Sequence, residues 1–358
     1  MSNKETASKS NDCASAFGDR LPTSRDVAQL AGVSQSSVCR VFDTKWADRI
    51  SPKMRDRVLA AANALGYQPN AIARSLTAQR SGIIGVIVSE YFNEFYFDLM
   101  RLITNELQAL GMRVMLFNAA PYSDIEEVFN KLVEYRVDGI IVTAAAISTR
   151  AEPIRKTIST PLVLVNIYAN EPFCSSVVCD NYTGSRQMAH YLYKCGCRNF
   201  VYASAAKSAY FDIPDRYRGF RDGLQECGTD CRVVDGDYSY EAGKEVARLL
   251  FTGSNPPDCI FTTSSKMAHG IMDSARQEFG ISIPNQLSVA TYDDSFATAL
   301  DSYQLTTIRQ PSEAIARTAV RLLCQEIDDP GCQIETVYAP PSITVRNSVR
   351  KPTTGQSE

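Results

Sequence analysis

The stretch "TSRDVAQLAGVSQSSVCRVFD", residues 23–43, contains two short helical patterns separated by one glycine. Thr23 is a favoured helix N-cap, and Asp26 three positions later completes a capping-box pattern. Gly32 can adopt the left-handed conformation that ends a helix. One face of the first helix is predicted to hold the apolar residues Val27, Leu30 and Ala31. A helix this short cannot bury that face by itself, so the pattern predicts helical neighbours.

The second pattern begins at Ser34, a predicted N-cap, and carries Val38, Val41 and Phe42 on one face. A third helix is predicted in "SPKMRDRVLAAANALGYQP", residues 51–69, with Pro52 at its first position and Gly66 at its end. Its inward-facing residues are Met54, Val58, Ala61, Ala62 and Leu65. Three helices with a tight turn between the first two predict a helix-turn-helix head.

In such a head, the second helix lies in the major groove of DNA. Gln35, Ser36 and Arg40 fall opposite the apolar face and can reach base edges, where arginine suits the two acceptors of guanine. Hydroxyls and helix N-terminal amides suit phosphates. We assign phosphate contacts to Ser34 and Ser37, and we include Thr23 and Ser24 among the DNA-binding candidates. The pattern alone leaves open that this face is simply solvated and that the serines act only as caps.

Bulk composition fits a globular protein of two or three domains: 358 residues, 44% hydrophobic and 22% charged. Residues 21–80 carry nine Lys or Arg and four Asp, a net charge of +5, whereas the whole chain has −3. A basic head on an acidic body predicts a polyanionic partner for the head alone. The polar residues 1–22 are predicted to be disordered.

The eleven cysteines and the hydropathy of the chain allow predictions about localisation, metal binding and membrane contact. An odd number of cysteines without a secretion signal predicts reduced thiols in the cytoplasm. Cys195 and Cys197 are two positions apart, but no second pair lies near them, so no metal site is expected. No run of eighteen apolar residues is present, so no membrane partner is expected.

From Ser81 onward, short apolar runs such as "GIIGVIVS", "LVLVN", "NFVYAS" and "LSVATY" alternate with helical stretches. This alternation predicts an α/β body with parallel sheets. No glycine-rich nucleotide motif follows any of these runs, so no cofactor is expected. His190 and His269 are the only histidines, which leaves few candidates for acid-base catalysis and argues against an enzyme.

The head motif "RDVAQLAGVSQSSVCRVFD" and the later segments "VDGIIVTAA", "DRYRGF", "TYDD" and "LTTIRQP" resemble the lactose-repressor (LacI-type) family of bacterial transcription regulators. The resemblance covers residues 23–348. It implies a repressor that binds a palindromic double-stranded DNA operator as a homodimer, with a tetramer left open, under control of a small-molecule effector. Such a regulator is expected in the cytoplasm, associated with the nucleoid. The effector class is a sugar, sugar acid or sugar phosphate.

The resemblance also implies the domain organisation. A helix-turn-helix head at 23–68 precedes a hinge at 69–80, a periplasmic-binding-protein-like body at 81–348 and a flexible tail at 349–358. The body is expected to contain two subdomains: 81–182 with 311–328, and 183–310 with 329–348.

The hinge contains "NAIARSL", residues 70–76, which is too short to be a stable helix in water. Spacing alone favours a plain linker. The resemblance implies instead a helix that forms over the operator centre, where Leu76 wedges between base pairs of the minor groove. Ala73 then makes the contact between two hinge helices and Asn70 a backbone or groove contact. Arg74 is a further DNA-binding candidate.

The resemblance places the effector in the cleft of the body, at the carboxyl ends of the strands. Arg216 as donor and Asp293 as acceptor are the strongest candidates to bind it. Phe95 and Tyr96 could stack on a ligand ring or could be core aromatics. Four further candidates could instead be helix caps or buried structural partners: Asp180, Asn181, Tyr238 and Gln310. Ser264 completes the set of candidates.

Several positions depart from the family pattern. Cys39 stands where the family usually has Ser or Thr, and Asp43 stands where it often has Asn. These two departures put ordinary phosphate contacts at both positions in doubt. Ser264-Ser265 replace a common Asn-Asp pair, which makes a standard pyranose less secure as the ligand, and His269 replaces a usual leucine. A ligand-binding protein without a DNA role and an enzyme on an α/β scaffold are the alternative functions. The basic head argues against the first, and the missing catalytic motifs argue against the second.

Overall fold

The structure, a computed structural model, describes residues 20–42, 49–68, 80–89, 94–119, 125–143, 159–167, 173–204 and 214–352. The chain divides into two compact units between Ser81 and Gly82. Some residues with sequence-based predictions lie outside the described residues: 1–19, Asp43, Asn70, Ala73, Arg74, Leu76 and 353–358.

The first unit contains three short helices, α1 (Ser24–Ala31), α2 (Gln35–Val41) and α3 (Pro52–Leu65). Gly32 and Gly66 end α1 and α3 with φ values of 64° and 62°, the left-handed conformation that the sequence predicts. At the start of α2, the hydroxyl of Ser34 accepts from the backbone N–H of Ser37 over 3.2 Å. The ends of these helices therefore follow directly from local residue chemistry.

The core of the head is formed where the three helices meet. Val27, Val38 and Val58 are fully buried there, and Phe42 packs edge-to-face on Tyr67 with ring centroids 5.8 Å apart. The prediction for Leu30 was wrong, because its side chain is 50% exposed. Ala28 is buried instead, and since each residue turns a helix by about 100°, a buried face running from Val27 through Ala31 to Ala28 leaves Leu30 outside it.

The first sheet of the body has the order β11-β5-β4-β3-β1-β2, with every neighbouring pair parallel. Strands β3, β4 and β5 are buried along their whole length, as expected for strands covered on both faces. The elements before the first crossing are β1 (Ile83–Ser89), α4 (Glu94–Ala109), β2 (Arg113–Ala119), α5 (Ile125–Glu134), β3 (Gly139–Val142), β4 (Leu162–Val165) and β5 (Ser175–Cys179).

The second sheet has the order β12-β10-β9-β8-β6-β7 and is parallel except for β12, which pairs antiparallel with β10. Its elements are α6 (Asn181–Lys194), β6 (Phe200–Ser204), α7 (Pro214–Glu226), β7 (Cys231–Asp235), α8 (Tyr240–Phe251), β8 (Cys259–Thr262), α9 (Ser265–Gln277), β9 (Ser288–Tyr292) and β10 (Thr306–Arg309). The last elements are α10 (Ser312–Asp328), β11 (Thr336–Ala339) and β12 (Ser342–Thr344).

The chain passes between the two sheets three times. After β5 it enters the second sheet through α6, and after β10 it returns to the first, where α10 packs on α4. The assignment of all of 329–348 to the second subdomain was wrong, because β11 hydrogen-bonds to β5 in the first sheet. Only β12 belongs to the second, so the last crossing lies between Ala339 and Ser342, at Pro340-Pro341.

The start of the predicted flexible tail was also wrong. Val349 is 3% exposed and packs in the core of the second sheet, and Arg350 donates to the carbonyl of Asp258 over 3.1 Å. An apolar contact and a charged hydrogen bond hold these residues, so the ordered body extends past residue 348. Within the described ranges, no helix combines the length and apolar character needed to cross a membrane.

Candidate functional site

The outward face of α2 carries the polar residues that the sequence predicts for contact with DNA. Gln35, Ser36 and Arg40 are exposed, while Val38 between them is fully buried. The structure therefore places the three candidates on one solvent-facing surface. Cys39 is exposed beside Arg40, so a weakly hydrogen-bonding thiol lies on the same side of the helix.

Polar contacts connect the start of α2 to the start of α1. The amide of Gln35 donates to the hydroxyl of Ser24 over 3.0 Å. The hydroxyl of Ser34 lies 2.8 Å from that of Ser36 and 2.9 Å from that of Ser37. The hydroxyls of Ser34 and Ser37 are thus in direct contact at the start of α2, and Ser24 at the start of α1 is linked to α2 through Gln35. Backbone N–H groups and the helix dipole at helix N-termini favour an anion.

Thr23 has a different role in the described structure. Its backbone N–H and its hydroxyl both donate to the carboxylate of Asp26 over 2.7 Å. Arg20 also donates to that carboxylate, over 3.1 Å. These hydrogen bonds lower the pKa of Asp26, with those from Thr23 contributing most, and they define the start of α1.

In the body, polar residues follow directly after strand ends. Asn166 follows β4, Asn181 comes two positions after β5, and Thr263, Asp293 and Gln310 follow β8, β9 and β10. Parallel strands bring their carboxyl ends to one edge, which is where ligands bind in α/β folds. The candidates are therefore gathered from both sheets.

Arg216 is held at this edge from several sides. Its Nε donates to Oδ1 of Asn181 over 2.8 Å, and one terminal nitrogen lies 3.4 Å from the carbonyl of Thr263. The guanidinium carbon lies 3.7 Å from the centroid of the Tyr292 ring. Burial is the largest single effect and lowers the pKa of Arg216. The electrostatic effects of Asp293, Tyr292, Tyr238 and Cys179 together outweigh it and raise that pKa above its ordinary value. A cation fixed in this way is a preorganised donor.

Asp293 lies at the end of a series of hydrogen bonds made by the side-chain amides of Gln310 and Asn166. Gln310 donates to its carboxylate over 2.6 Å, and Asn166 donates to the amide oxygen of Gln310 over 2.8 Å. Asn166 in turn accepts from the backbone N–H of Cys179 over 2.9 Å. Asn166 follows a strand of the first sheet and Asp293 follows a strand of the second, so this series of hydrogen bonds joins the two subdomains.

The two aromatic candidates, Phe95 and Tyr96, have different surroundings in the structure. Phe95 is 7% exposed and packs in the core of the first sheet, which favours the core role that the sequence left open. Tyr96 is only partly buried, and Asp293, Arg216 and Tyr238 act electrostatically on it. Burial, reinforced by the charge of Asp293, raises the pKa of Tyr96 well above its ordinary value, so its hydroxyl stays protonated and able to donate.

The other candidates have structural partners. The carboxylate of Asp180 accepts from the N–H of Thr183 over 3.0 Å and caps α6. Ser264 is the N-cap of α9, and its hydroxyl donates to the carbonyl of Tyr238 over 3.2 Å. Asp180 therefore has the cap role that the sequence left open, and Ser264 likewise caps a helix.

Asn166, Thr263 and Tyr292 were not predicted from the sequence. Asn166 ends the quoted run "LVLVN" and Tyr292 ends the quoted run "LSVATY", so their place at strand ends was a usable signal. Among the described residues, no group of three or more His, Cys, Asp or Glu side chains is arranged to hold a metal ion.

Each of the two units matches a known protein family. Residues 23–70 match the bacterial regulatory proteins of the lacI family, and residues 189–349 match a periplasmic binding protein-like domain. The chain carries a DNA-binding head of the LacI family. It therefore combines a helix-turn-helix head with a periplasmic-binding-protein-like body, as the resemblance implied.

Relatives match along nearly their whole length. Catabolite control protein A of Priestia megaterium is 28% identical over 329 residues, covering 91% of this chain and 98% of that protein. The ribose operon repressor of Halalkalibacterium halodurans is 28% identical over 331 residues, covering 92% and 98%. A crystal structure of the lac repressor dimer bound to operator and an anti-inducer superimposes with a TM-score of 0.81 at 23% identity, covering 93% and 100%.

These matches fix the broad class of the protein. Regulators of the LacI family bind DNA and small-molecule effectors and are not enzymes. The prediction of a DNA-binding repressor class is therefore confirmed, and the catalytic alternative is set aside.

Proposed function

We propose that this protein is a homodimeric transcriptional repressor that binds a two-fold-symmetric operator and whose affinity for that operator is controlled by a small effector bound in the cleft of the body. The observation that carries the proposal is the joint presence of an exposed polar face on α2 and of buried Arg216 and Asp293 at the carboxyl-end edge of the sheets. The repressor would act in the cytoplasm, on its operator in the nucleoid. Dimer and tetramer are distinguished by sedimentation.

Operator recognition is assigned to α2. Arg40 is exposed at its last turn, with Gln35 and Ser36 at its first. We propose that Arg40 reads a guanine, while Ser24, Ser34 and Ser37 contact phosphates. Each head offers one such helix, so a dimer contacts two half-sites related by symmetry.

The hinge is proposed on resemblance alone. Leu76 would insert between base pairs, with Ala73 at the contact between two hinge helices and Asn70 and Arg74 on the groove and backbone. Leu76→Ala is expected to lose operator affinity and DNA bending together, because the wedge offsets the cost of unstacking. An unchanged bend angle in the mutant complex would favour a plain linker.

The effector is proposed to be a sugar, a sugar acid or a sugar phosphate. Arg216 supplies a fixed donor, and Asp293 supplies an acceptor that Gln310 orients. Ring hydroxyls need donors and acceptors together, and the name of one full-length relative, a ribose operon repressor, points to the same class. With Ser264 engaged as a helix cap, a carboxylate or phosphate on the ligand would offset the missing Asn-Asp pair by pairing with Arg216.

Control of DNA affinity requires that the effector bind one arrangement of the subdomains better than another. The contacts from Asn166 through Gln310 to Asp293 join the two sheets. A ligand that competes for Asp293 would change this connection directly. We expect a coupling of about 1–3 kcal/mol, the usual range for such regulators.

Two experiments test the proposal. Operators selected from fragmented genomic DNA should be two-fold symmetric, and their affinity should fall steeply with salt as cations of the head release counterions. Protection of a single asymmetric half-site with no salt dependence would contradict it.

The second experiment screens sugars, sugar acids and sugar phosphates by thermal shift, then repeats the best hit on Arg216→Ala and Asp293→Ala. Arg218→Ala is the matched control, because Arg218 lies on α7 like Arg216 but its side chain is 58% exposed. If both cleft variants keep full affinity and full control of DNA binding, the effector site is misplaced.

A further inference from the structure

Three cysteines cluster in the core of the second sheet, away from the strand ends that form the cleft. Cys195, Cys197 and Cys259 are each at most 2% exposed and pack in one apolar cluster with Val349. Cys195 and Cys197 lie in the turn between α6 and β6, and Cys259 begins β8. Strands β6 and β8 are direct neighbours, with Phe200 paired to Cys259, so the topology brings the turn to the start of β8.

Two of these thiols contact each other. The Cys197 thiol is hydrogen-bonded to the Cys259 thiol and to the hydroxyl of Ser288. The backbone supports this contact, because the N–H of Cys259 donates to the carbonyl of Asn199 over 3.3 Å. The Cys195 thiol is bonded to Tyr191 instead. Cys197 and Cys259 are therefore the pair, although Cys195 is nearer to Cys197 in sequence.

A cation lies against this pair. Nη2 of Arg350 is 3.8 Å from Sγ of Cys197, and the same side chain forms an ion pair of 3.3 Å with Asp258. Its backbone N–H and its Nε also approach the Ser288 hydroxyl, at 3.3 and 3.4 Å. Arg350 is thus fixed by several contacts and places its positive charge beside one sulfur.

The two thiols consequently differ in acidity. The hydrogen bond from Cys259 lowers the pKa of Cys197, and Ser288 and Arg350 lower it further against the opposing effect of burial. Burial and the neighbouring Cys197 raise the pKa of Cys259. One sulfur is therefore favoured as a thiolate and the other as a thiol, which is the arrangement of a nucleophilic and a resolving cysteine.

We propose that Cys197 and Cys259 form a peroxide-sensitive dithiol that is converted reversibly into an intramolecular disulfide, with Arg350 as the residue that positions the reactive thiolate. The oxidant is a hydroperoxide, of which hydrogen peroxide is the smallest. In a compartment that keeps thiols reduced, a disulfide of this kind is transient and redox-sensing rather than structural.

The chemistry balances in two steps. The Cys197 thiolate attacks one peroxide oxygen, the O–O bond breaks, and hydroxide leaves and takes up the proton that Cys197 released. The sulfur is thereby oxidised to a sulfenic acid, and the peroxide is reduced to water. The Cys259 sulfur then attacks the Cys197 sulfur, the S–S bond forms, and the hydroxyl leaves with the Cys259 proton as a second water.

Access depends on the segment that covers the pair. Arg350 contacts Cys197, and Val349 packs in the same apolar cluster; both lie in a stretch that follows β12 and belongs to no helix or strand. Segments of this kind open locally at lower cost than a buried strand does. Opening of this segment is the route by which peroxide would reach the buried pair.

The test uses the purified full-length protein, treated with hydrogen peroxide, alkylated and digested with trypsin without reduction. Cleavage after Lys194, Arg198, Arg248 and Lys266 places the two cysteines in peptides 195–198 and 249–266. A disulfide-linked pair of these peptides is expected in the oxidised sample and is expected to disappear on reduction. Cys39, which is exposed, reports that the oxidant was active.

Variants show which sulfur atoms form the disulfide and whether Arg350 speeds its formation. Cys195→Ser is expected to keep the linked peptides, and Cys197→Ser and Cys259→Ser are expected to lose them. Arg350→Gln should slow their formation about threefold or more near neutral pH. Without the cation a smaller fraction of Cys197 is thiolate, and the greater nucleophilicity of the remaining thiolate offsets this loss only in part. Arg350→Lys should restore the rate in part.

Two results would overturn the proposal. One is the absence of the linked peptides in folded wild-type protein whose Cys39 has been oxidised. The other is their persistence in Cys197→Ser, which would assign the bond to Cys195. A rate in Arg350→Gln equal to that of the wild type would remove the role of the arginine.

Discussion

Arg216 donates from Nε to Oδ1 of Asn181 over 2.8 Å, and both side chains are buried. Asn181 is anchored in turn, since its amide donates to the carbonyl of Cys179 over 3.1 Å and its own carbonyl accepts from the hydroxyl of Tyr292 over 3.2 Å. The asparagine therefore connects the end of β5 to the arginine on α7. It holds the guanidinium at the carboxyl-end edge of the strands.

Asn181→Ala should consequently weaken effector binding although Asn181 itself need not touch the effector. Loss of a buried hydrogen bond to a charged group costs about 1.5–3 kcal/mol, so we expect affinity for the best hit of the sugar screen to fall about tenfold or more. Calorimetric titration well below the melting temperature measures this. Lys194→Ala is the control, because Lys194 is exposed at the other end of α6. Equal affinities for wild type and Asn181→Ala would show that Arg216 is positioned without this partner.

Much of this protein could be predicted from local residue chemistry. The caps and glycines of the head define its helices, and apolar runs define the buried strands, because these signals act within a few residues. What the sequence could not provide is which distant residues meet. Asn166 has φ of 54° and binds Gln310, 144 positions away, and the pairing of β11 with β5 depends on tertiary contacts in the same way. The sequence indicated candidates such as Asp180 and Ser264 by position but could not separate caps from ligand contacts.

Arg40→Ala tests base reading by α2. A bidentate contact to guanine is worth about 1–3 kcal/mol of discrimination, so the variant should lose preference at one position in each half-site. Selection from a randomised operator library measures the preference directly. Arg57→Ala, an exposed cation on α3, should leave base preference unchanged. If Arg40→Ala weakens binding equally on every sequence, Arg40 contacts only the DNA backbone.

His269 makes stability dependent on pH. It is 8% exposed, its ring centroid lies 4.1 Å from that of Tyr303, and burial lowers its pKa against the opposing charges of Asp273 and Glu94. A histidine whose folded pKa lies below the unfolded value of 6.5 binds fewer protons in the folded state. Its favourable contribution is present above pH 6.5 and is lost as pH falls toward the folded pKa.

The melting temperature of the wild type should therefore fall as pH is lowered below about 6.5. His269→Leu, which restores the residue usual in the family, should reduce that fall, by about 1.4 kcal/mol of unfolding free energy for each unit of pKa difference. His190→Gln is the matched control, because His190 is the other histidine of the chain and its side chain is 32% exposed. Parallel pH profiles for wild type and His269→Leu would contradict the assignment.

Gly270 allows helices α8 and α9 to pack at very close range. A Cβ atom there would collide with the carbonyl group of Tyr240 and lie 3.1 Å from Cα of Gly243, and both obstacles are backbone. Alanine ordinarily stabilises a helix interior by about 0.5–1 kcal/mol relative to glycine. Gly270→Ala should instead destabilise the body by at least about 1–3 kcal/mol, because backbone cannot rotate aside as a side chain can. In Gly253→Ala the nearest atoms would lie at an ordinary 3.7 Å, so this variant should melt within a degree or two of the wild type. A Gly270→Ala variant as stable as Gly253→Ala would mean that α8 and α9 do not approach each other this closely in solution.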